Sequence, residues 1–416
     1  MIILNITPRA GCTIPVAEKT IYVTEEQLMK IGFSERDIRR ITVDWDSNSI
    51  SHRDANFNYK ASPDYNKTNL TQSQKDRYNN VVEMLCYQNN TRKSSDIKFV
   101  GLHAHSGVGS PFDGFGYPQD HMDFCYENGG QALALTDHGN MNGFAYQVLH
   151  AKKMKEAGKD FKPIFGVEAY FINDVNQWRK EYEEYKADKK KAKELSDKQS
   201  GVNVEEEGAT KSKGRSINRS RHLVLLAMNQ TGLNNIFKLV SESYSEKYFY
   251  RKPRMDYNLL AKYSDGVIAM SACLGGVYAG CYWDNIEDGE EAVLECMRET
   301  TRTMVGIFGD RWYGELQWNA VPEQHALNKF IIQMHKEFGI PLVSTADSHY
   351  PTPTAWKDRE LYKRLGWLGR GAPEWLDMTL PGAVSDMDYE LYPKNGEQMW
   401  EEIGRASCRE RVSTSV

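Results

Sequence analysis

Side chains that bind metal ions follow apolar runs at five separate places in this chain, and this arrangement constrains its fold more than any other feature. The clusters are His103-Ala104-His105, Asp137-His138, Glu168, Cys273 and Asp347-Ser348-His349. They extend from residue 103 to residue 349, too far apart for a local motif. One site can include them all if each apolar run is a strand that ends at the same edge of the fold.

Strand geometry explains how such clusters can converge. His103 and His105 follow the apolar run 100–102, and side chains two residues apart on a strand point to the same side. The run 132–135 is of the kind buried in parallel sheets, and it leads to Asp137 and His138. Similar runs accompany the remaining clusters: 163–167 leads to Glu168, 267–270 to Cys273, 341–343 to Asp347 and His349, and His222 stands beside the run 223–227.

Helical patterns separate most of these runs, as at 143–158, 233–245 and 289–305. Strands that alternate with helices indicate an α/β fold with a parallel sheet and right-handed crossovers, either open or closed into a barrel. In barrels of this type the functional residues collect at the carboxyl ends of the strands. Nearly every candidate ligand falls at such a position.

Each of these residues has a structural interpretation beside the functional one. A single histidine near a strand end is commonly hydrogen-bonded, an aspartate after a strand can cap a helix, and Cys273 could be a small buried residue. Repetition favours a site, because five of the ten histidines occupy such positions: His103, His105, His138, His222 and His349. The others are interpreted as structural or surface residues: His52, His121, His150, His325 and His335.

The ligand types indicate the chemistry of the site. Imidazole, carboxylate and thiolate together suit zinc, manganese or iron better than magnesium alone. The candidates outnumber the roughly four ligands that one zinc ion takes, so two or three divalent ions are predicted. Clusters of divalent ions are the usual apparatus for phosphoester hydrolysis.

Taken in order, the motifs resemble those of the PHP (polymerase and histidinol phosphatase) family. They are FVGLHAHS at 99–106, ALTDHGNM at 134–141, PIFGVEAY at 163–170, HLVLLA at 222–227, SACLGG at 271–276 and ADSHY at 346–350. More narrowly, residues 97 to 400 resemble the PHP domain that opens the alpha subunit of bacterial DNA polymerase III, a form that viral genomes also carry. The stretch YRKPR at 250–254 resembles this polymerase branch rather than the small phosphatases. The resemblance implies a distorted (β/α)7 TIM-like barrel.

The resemblance also implies a ligand set and an activity. The ligands are His103, His105, His138, Glu168, His222, Cys273, Asp347 and His349, with Asp113 of Asp113-Gly114 as a ninth, displaced by an insertion within 106–112. Asp347, His349 and Asp137 are expected to be catalytic, with Asp137 orienting His138 rather than binding metal. Two or three divalent ions (zinc, manganese, iron or magnesium) are expected. Because the set is essentially complete, a metal-dependent 3′ to 5′ exonuclease is the hypothesis for its activity.

Contacts with DNA must come from local patches, because the net charge of the chain is −5. Arg251, Lys252 and Arg254 form one patch, flanked by aromatic residues. They suit single-stranded DNA, and packing on the barrel rim is the equal alternative. A second cluster could be a phosphate-contacting arm or a solvated loop: Lys211, Lys213, Arg215, Arg219 and Arg221.

Four regions are predicted along the 416 residues. Residues 1–96 form an N-terminal extension or small accessory module, with helices near 25–31 and 72–86. Residues 97–352 form the PHP barrel, interrupted at 174–220 by a charged insertion with a helix over 178–195 and a disordered remainder. Residues 353–401 begin a helical thumb or palm region, in which Asp386-Met387-Asp388 is rejected as a polymerase carboxylate pair. Residues 402–416 resemble the translation of a sequencing adapter and are interpreted as a non-native tail.

The composition of the chain and its N-terminus indicate in which cellular compartment the protein is expected. The mean hydropathy of −0.63 and the lack of a long apolar run exclude a membrane span, and the N-terminus does not resemble a signal peptide. Seven cysteines without a CxxC pair indicate a reducing compartment without a disulfide framework. The cytoplasm is expected, or the host cytoplasm for a viral protein.

Three functions remain open from the sequence. The first is the amino-terminal part of a replicative DNA polymerase, whose implied partners are a primer-template or single-stranded 3′ end, the sliding clamp and other replisome proteins. The second is a stand-alone phosphoesterase that acts on small phosphomonoesters such as histidinol phosphate. The third is a metal-stabilised structural module that binds replisome proteins. The YRKPR stretch and the segment after the barrel favour the first over the second.

Overall fold

The computed structural model of the chain describes residues 2–6, 19–23, 97–198, 219–319, 321–367 and 390–403. The chain divides into two compact units, one of Met1–Asp96, Glu127–Gly129 and Pro353–Ala355, the other of Ile97–Tyr126, Gly130–Thr352 and Trp356–Val416. In the first unit, strands β1 (Ile2–Ile6) and β2 (Lys19–Val23) pair antiparallel. Several predictions fall outside the described residues: the helices at 25–31 and 72–86, the disordered segment of the insertion, and the rejected pair at 386–388.

The second unit is built on one curled sheet. Its described strands are β3 (Ala132–Leu135), β4 (Lys162–Phe171), β5 (Arg221–Ala227), β6 (Arg254–Met255), β7 (Val267–Met270), β8 (Trp312–Leu316) and β9 (Leu342–Ser344). The strand order is β3-β4-β5-β7-β8-β9, with β6 paired to β4 off this path. The α/β class predicted from the alternating runs is confirmed.

Helices connect the strands. They are α1 (Pro118–Glu127), α2 (Phe144–Glu156), α3 (Val175–Lys198), α4 (Gln230–Ser243), α5 (Tyr257–Lys262), α6 (Val277–Asn285), α7 (Glu290–Phe308), α8 (Pro322–Phe338) and α9 (Trp356–Trp367). Local signals set their ends: the Asn229 side chain caps α4, and α8 runs from Pro322 to a left-handed Gly339. The predicted helices at 143–158, 233–245, 289–305 and 178–195 correspond to α2, α4, α7 and α3.

The parallel sheet predicted from the sequence contains one reversed strand, β5. This strand runs antiparallel to both of its neighbours, β4 and β7, whereas β3, β8 and β9 pair in parallel with theirs. The reversal has a consequence for the site. His222 is the second residue of β5, so its place at the amino end brings it to the edge where the parallel strands have their carboxyl ends.

The segment 101–105 completes the barrel. On one side the carbonyl of Gly101 accepts from the N–H of Ala134 at 2.7 Å, and the carbonyl of Ala104 accepts from Thr136 at 2.8 Å. On the other side the N–H of His105 donates to the carbonyl of Ser348 at 2.7 Å. Because this segment bonds to β3 and the residue after it on one side, and to the chain after β9 on the other, the sheet curls into a distorted TIM-like barrel.

Two apolar layers follow from the period of two along the central strands. Leu223 and Leu225 of β5 pack in an outer layer between the sheet and the helices. Val224 and Leu226 point to the other face, into the barrel interior. On β4, Val167 and Ala169 belong to the outer layer, so the alternating Glu168 faces the interior at the upper end of the barrel.

The cysteines depart from the expectation of a chain without disulfides. Cys281 of α6 and Cys296 of α7 are joined by a disulfide, with their Cα atoms 5.5 Å apart. Neighbouring helices bring the two residues together although 15 positions separate them in the sequence, a proximity that spacing alone does not reveal. Cys125 and Cys273 are free thiols.

The ends of the barrel region carry two further observations. Arg219 and Arg221, two members of the second basic cluster, both pair with Asp284. Near the end of the described chain, Glu402 is buried and pairs with Lys394 at 3.2 Å, so the folded part includes the first residue of the tail predicted at 402–416. Among the described helices, none is both long and apolar enough to cross a membrane.

Candidate metal centre

His103 and His105 form the floor of the site, and their outer nitrogens are fixed before any ion binds. Nδ1 of His103 donates to the Glu315 carboxylate at 2.7 Å, and Nδ1 of His105 lies 3.3 Å from the Ser110 hydroxyl. These contacts leave both Nε2 atoms facing the site, 3.0 Å from one another. Both side chains are fully buried.

Two carboxylates meet these nitrogens. Nε2 of His103 lies 3.3 Å from both Oε1 of Glu168 and Oδ1 of Asp347. Nε2 of His105 lies 3.2 Å from the same Asp347 oxygen and 3.5 Å from Oε2 of Glu168. Asp347 adopts a left-handed backbone conformation, with φ of 48°, that an L-residue adopts at a cost. We call His103, His105 and Asp347 the sealed half of the centre, because their side chains are 0 to 9% exposed.

The opposite side is nearer to solvent. Nε2 of His138 lies 2.8 Å from Oδ2 of Asp113, and Nε2 of His349 lies 3.5 Å from the same oxygen. Nδ1 of His222 lies 3.1 Å from Oε1 of Glu168. We call Asp113, His138, His222 and His349 the open half, because their side chains are 10 to 41% exposed. Asp113, displaced in the sequence, is brought to the centre by the fold.

Glu168 connects the two halves. Its carboxylate faces His103 and His105 on one side and His138, at 2.6 Å, on the other. The Cys273 thiol lies 3.8 Å from Glu168 and 3.7 Å from Nδ1 of His222. Three groups of donor atoms are close enough to hold an ion: His105-His138-His349, His103-His105-Glu168 and His138-Glu168-His222.

The protonation of the site reflects how tightly these charges are packed. Burial alone would lower the pKa of His103, but Asp347, Glu315 and Glu168 outweigh it and raise that pKa well above its usual value. For His138, burial is likewise outweighed by Glu168 and Asp113, and its pKa rises to about 10. His105 differs: burial and its histidine neighbours lower its pKa to about 3.

The acidic groups show the reverse balance. Burial opposes the charge of Glu168, yet His222, His138 and His103 hold its pKa well below the usual range. Burial raises the pKa of the Cys273 thiol well above its usual value, and the Glu168 carboxylate adds to this rise. A thiol in such a place becomes a thiolate when a cation replaces the missing positive charge.

The donor set fits divalent cations. Among the described residues, three buried atoms at the centre lie within ion-pair distance of a neighbour but make no well-aligned hydrogen bond: Nδ1 of His138, Oε2 of Glu168 and Oδ1 of Asp347. Buried polar atoms of this kind are rare in folded proteins unless they bind an ion or water. Imidazole, carboxylate and thiol are also the ligand types that zinc, manganese and iron accept.

Asp137, predicted to support His138 without binding metal, makes its hydrogen bonds with the loop that follows His105. Its carboxylate accepts from the N–H and hydroxyl of Ser106, at 2.7 and 2.9 Å, and from the Ser110 hydroxyl at 2.9 Å. The Ser110 oxygen in turn accepts from the backbone N–H of His138 at 3.1 Å. The His138 ring is held by Asp113 and Glu168, so Asp137 fixes the loop after His105 instead of orienting that ring.

Three supporting residues escaped the sequence analysis. Glu315 is fully buried, and its carboxylate accepts from His103, from Thr345 at 2.5 Å and from Gln317 at 3.0 Å. Ser110 links two motifs, and Arg359 donates to Oδ1 of Asp113 at 2.8 Å. A carboxylate within the strand run WYGEL was a visible signal for Glu315. The sequence offered no such signal for Ser110, which lies in an irregular loop, or for Arg359, whose partner Asp113 is far away along the chain.

The predicted nucleic-acid patch separates into residues with different surroundings. Arg254 is buried, with its guanidinium 3.6 Å from the Trp178 ring centroid and its Nε donating to the Tyr248 carbonyl, which gives it a packing role. Lys252 is exposed, and its ammonium lies 4.1 Å from the centroid of Tyr170. Arg251 is exposed at the tip of the turn.

The strand ends of this α/β barrel thus gather histidines, carboxylates and a thiol that could hold metal ions. A family model described as PHP domain matches residues 101–319. The chain therefore belongs to the PHP domain family.

The chain is also similar to part of much longer curated proteins. The chain is 34% identical to DNA polymerase III subunit alpha of Aquifex aeolicus over 255 residues, which are 61% of this chain and 18% of the relative. It is 32% identical to the same subunit of Borreliella burgdorferi over 305 residues, 73% of this chain and 22% of the relative. The chain thus spans about a fifth of the length of these relatives. A solved amidohydrolase structure from Chromobacterium violaceum covers 63% of this chain and 96% of its own at 12% identity, with a TM-score of 0.32 that is too low to support a conclusion.

Proposed function

We propose that the chain is the PHP part of a replicative DNA polymerase III alpha subunit, and that its metal centre removes nucleotides from a DNA 3′ end. The observation that carries this proposal is the convergence of nine candidate ligands, with Glu168 between a sealed half and an open half. The sequence similarity to alpha subunits supports the polymerase context. This proposal implies three partners: a primer-template, the sliding clamp and other replisome proteins. The location that it implies is the cytoplasm, or the host cytoplasm for a viral protein.

Two or three divalent ions, when bound, would polarise a phosphoryl oxygen and supply a nucleophile at neutral pH. The sealed half holds its donors through Glu315 and Ser110, which keep His103 and His105 in the tautomers that bind metal. The open half is where a phosphodiester can enter. His349 contributes there, because its Nδ1 donates to the Asp347 carbonyl at 2.7 Å and its Nε2 faces the open side beside Asp113.

The test combines metal analysis with a cleavage assay on the full chain. Purified protein should contain divalent metal and shorten a 5′-labelled single strand one nucleotide at a time, while Asp347→Ala should do neither. Protein that bound no metal and left 3′ ends intact would contradict the proposal.

Two other outcomes would identify the alternatives. Hydrolysis of histidinol phosphate without shortening of DNA would identify a stand-alone phosphoesterase. Metal content with no hydrolysis of either substrate would identify a structural module.

A further inference from the structure

Tyr170 forms a wall between the metal centre and the protein surface. It lies two residues after Glu168 on β4, so both side chains project to the same side of the strand. Its ring lies nearly parallel to that of His138, at 19° and with centroids 5.9 Å apart. Gly139, with φ of +67°, permits this approach, because a Cβ there would lie 2.8 Å from Pro253 and 3.0 Å from Tyr170.

The outer side of this wall carries a positive charge. The Lys252 ammonium lies 4.1 Å from the Tyr170 ring centroid. Carboxylates of Asp113 and Glu168 act on this ammonium electrostatically, while partial desolvation lowers its pKa. Lys252 is therefore the exposed cation that adjoins both the wall and the open half of the centre.

The turn that carries Lys252 is held in place from two sides. Strand β6 pairs with β4 at Tyr170 and Arg254, immediately after the turn. The guanidinium of Arg179, from α3, donates to the carbonyls of Glu246 and Lys247 just before it. A turn fixed in this way has little backbone entropy left to lose on binding.

Two aromatic rings continue outward from this wall. Tyr244, at the end of α4, and Phe249, in the turn, stack at 23° with centroids 5.9 Å apart. They are 50% and 44% exposed, so their outer faces are open to solvent. Phe249 precedes Lys252 by three residues, which brings this pair of rings to the side of the wall that carries the ammonium.

We propose that Tyr244, Phe249 and Lys252 form a track that leads a single-stranded 3′ end to the metal centre past Tyr170. The two rings stack on unpaired bases, and Lys252 binds a phosphate between those bases and the open half. Unpaired bases are the fitting partner because aromatic platforms beside a cation bind single strands irrespective of sequence, whereas bases in a duplex have no free faces. This inference rests on the proposed function, since the centre gives the track its direction.

Binding of the full chain to a fluorescein-labelled oligothymidylate, measured by anisotropy in chelator, tests the rings without requiring catalysis. Tyr244→Ala with Phe249→Ala should weaken binding by about tenfold or more, the scale of one stacked base. Trp400→Ala is the matched control, because its ring is 66% exposed elsewhere on the surface. Tyr244→Phe with Phe249→Tyr keeps both rings and should retain binding, which distinguishes lost stacking from lost folding.

Salt dependence tests Lys252. Lys252→Met should reduce the slope of log affinity against log salt by about 0.7, the value for one phosphate contact on a single strand. Lys238→Met is the control, since Lys238 also lies over a tyrosine ring, that of Tyr263 at 5.5 Å. The slope of log affinity against log salt for Lys238→Met should equal that of the unmodified protein.

The outcomes separate the track from the proposed function. Equal oligonucleotide affinity in the double alanine variant and Trp400→Ala would overturn the track, as would no measurable binding or equal affinity for a duplex of the same length. Cleavage of thymidine 5′-(p-nitrophenyl phosphate) by the unmodified, metal-loaded chain tests the centre by itself. If that cleavage is absent while binding still depends on the rings, the proposed function fails and the track stands as a binding surface.

Discussion

The sealed and open halves of the metal centre use similar side chains in different surroundings. In the sealed half, His103 and His105 are fully buried and each has a protein partner on Nδ1. In the open half, His138 has a carboxylate at both ring nitrogens, and Asp113 is 41% exposed. The side chains of the sealed half are thus shielded from solvent and held by protein partners, whereas those of the open half are accessible from the surface.

Removing the charge of Glu168 should have the largest effect, because its carboxylate serves both halves. Glu168→Gln preserves the shape but takes away the anion that His103, His138 and His222 surround. We expect metal content to fall to background and phosphodiesterase activity to fall about a thousandfold, the scale of a lost Lewis acid. Elemental analysis and a cleavage assay measure this.

Glu290→Gln, on the exposed first turn of α7, is the control for the chemical change. Full metal content in Glu168→Gln would show that the two halves do not share this carboxylate.

Metal affinity should rise with pH, and this rise reports how each half holds its protons. The pKa of His138 is raised to about 10 and that of His103 lies well above its usual value, so both keep protons in the metal-free protein at neutral pH. An ion must displace them, and each displaced proton strengthens binding by about tenfold per pH unit. His105, with a pKa of about 3, is already neutral and adds nothing above pH 4.

Calorimetry in buffers of different ionisation enthalpy counts the protons released. The expected sign is release, with affinity still rising above pH 8. A pH-independent affinity between pH 6 and 8 would refute the proposed protonation of both histidines.

Substitution of Glu315 tests whether metal binding by the sealed half depends on the hydrogen bond between this carboxylate and His103. Glu315→Gln keeps a hydrogen-bonding side chain but weakens the acceptor that fixes Nδ1 of His103, and we expect metal affinity to fall about 10- to 100-fold. The absorption spectrum of the cobalt-substituted protein should change as well, because it reports ligand geometry rather than folding. Thr345→Val, which removes a different partner of Glu315, is the control and should have the smaller effect.

Much of this site could be predicted from the sequence because its ligands end apolar runs, and strand ends of a barrel meet at one edge. Glu168 and Cys273 follow such runs, whereas His222 precedes its run and reaches the same edge because β5 is reversed. The role of Asp137 could not be predicted, since its partners Ser106 and Ser110 lie in an irregular loop without periodicity. The direction of β5 could not be predicted either, because parallel and antiparallel strands can both consist of an apolar run.

Substitution of Arg359 should have the smallest effect on activity, since this residue acts on the open half through Asp113. Its guanidinium contacts both the carboxylate, at 2.8 Å, and the backbone carbonyl of Asp113, a geometry that lysine cannot reproduce. Arg359→Lys should lower kcat/KM for a phosphodiester by about three- to tenfold, the scale of one ordinary hydrogen bond, because lysine keeps the charge, with metal content of the sealed half unchanged. Arg298→Lys, which alters a surface ion pair with Glu337, is the matched control. Loss of metal from the sealed half in Arg359→Lys would show that the two halves are not independent, and that the open half supports the buried ligands as well as the substrate.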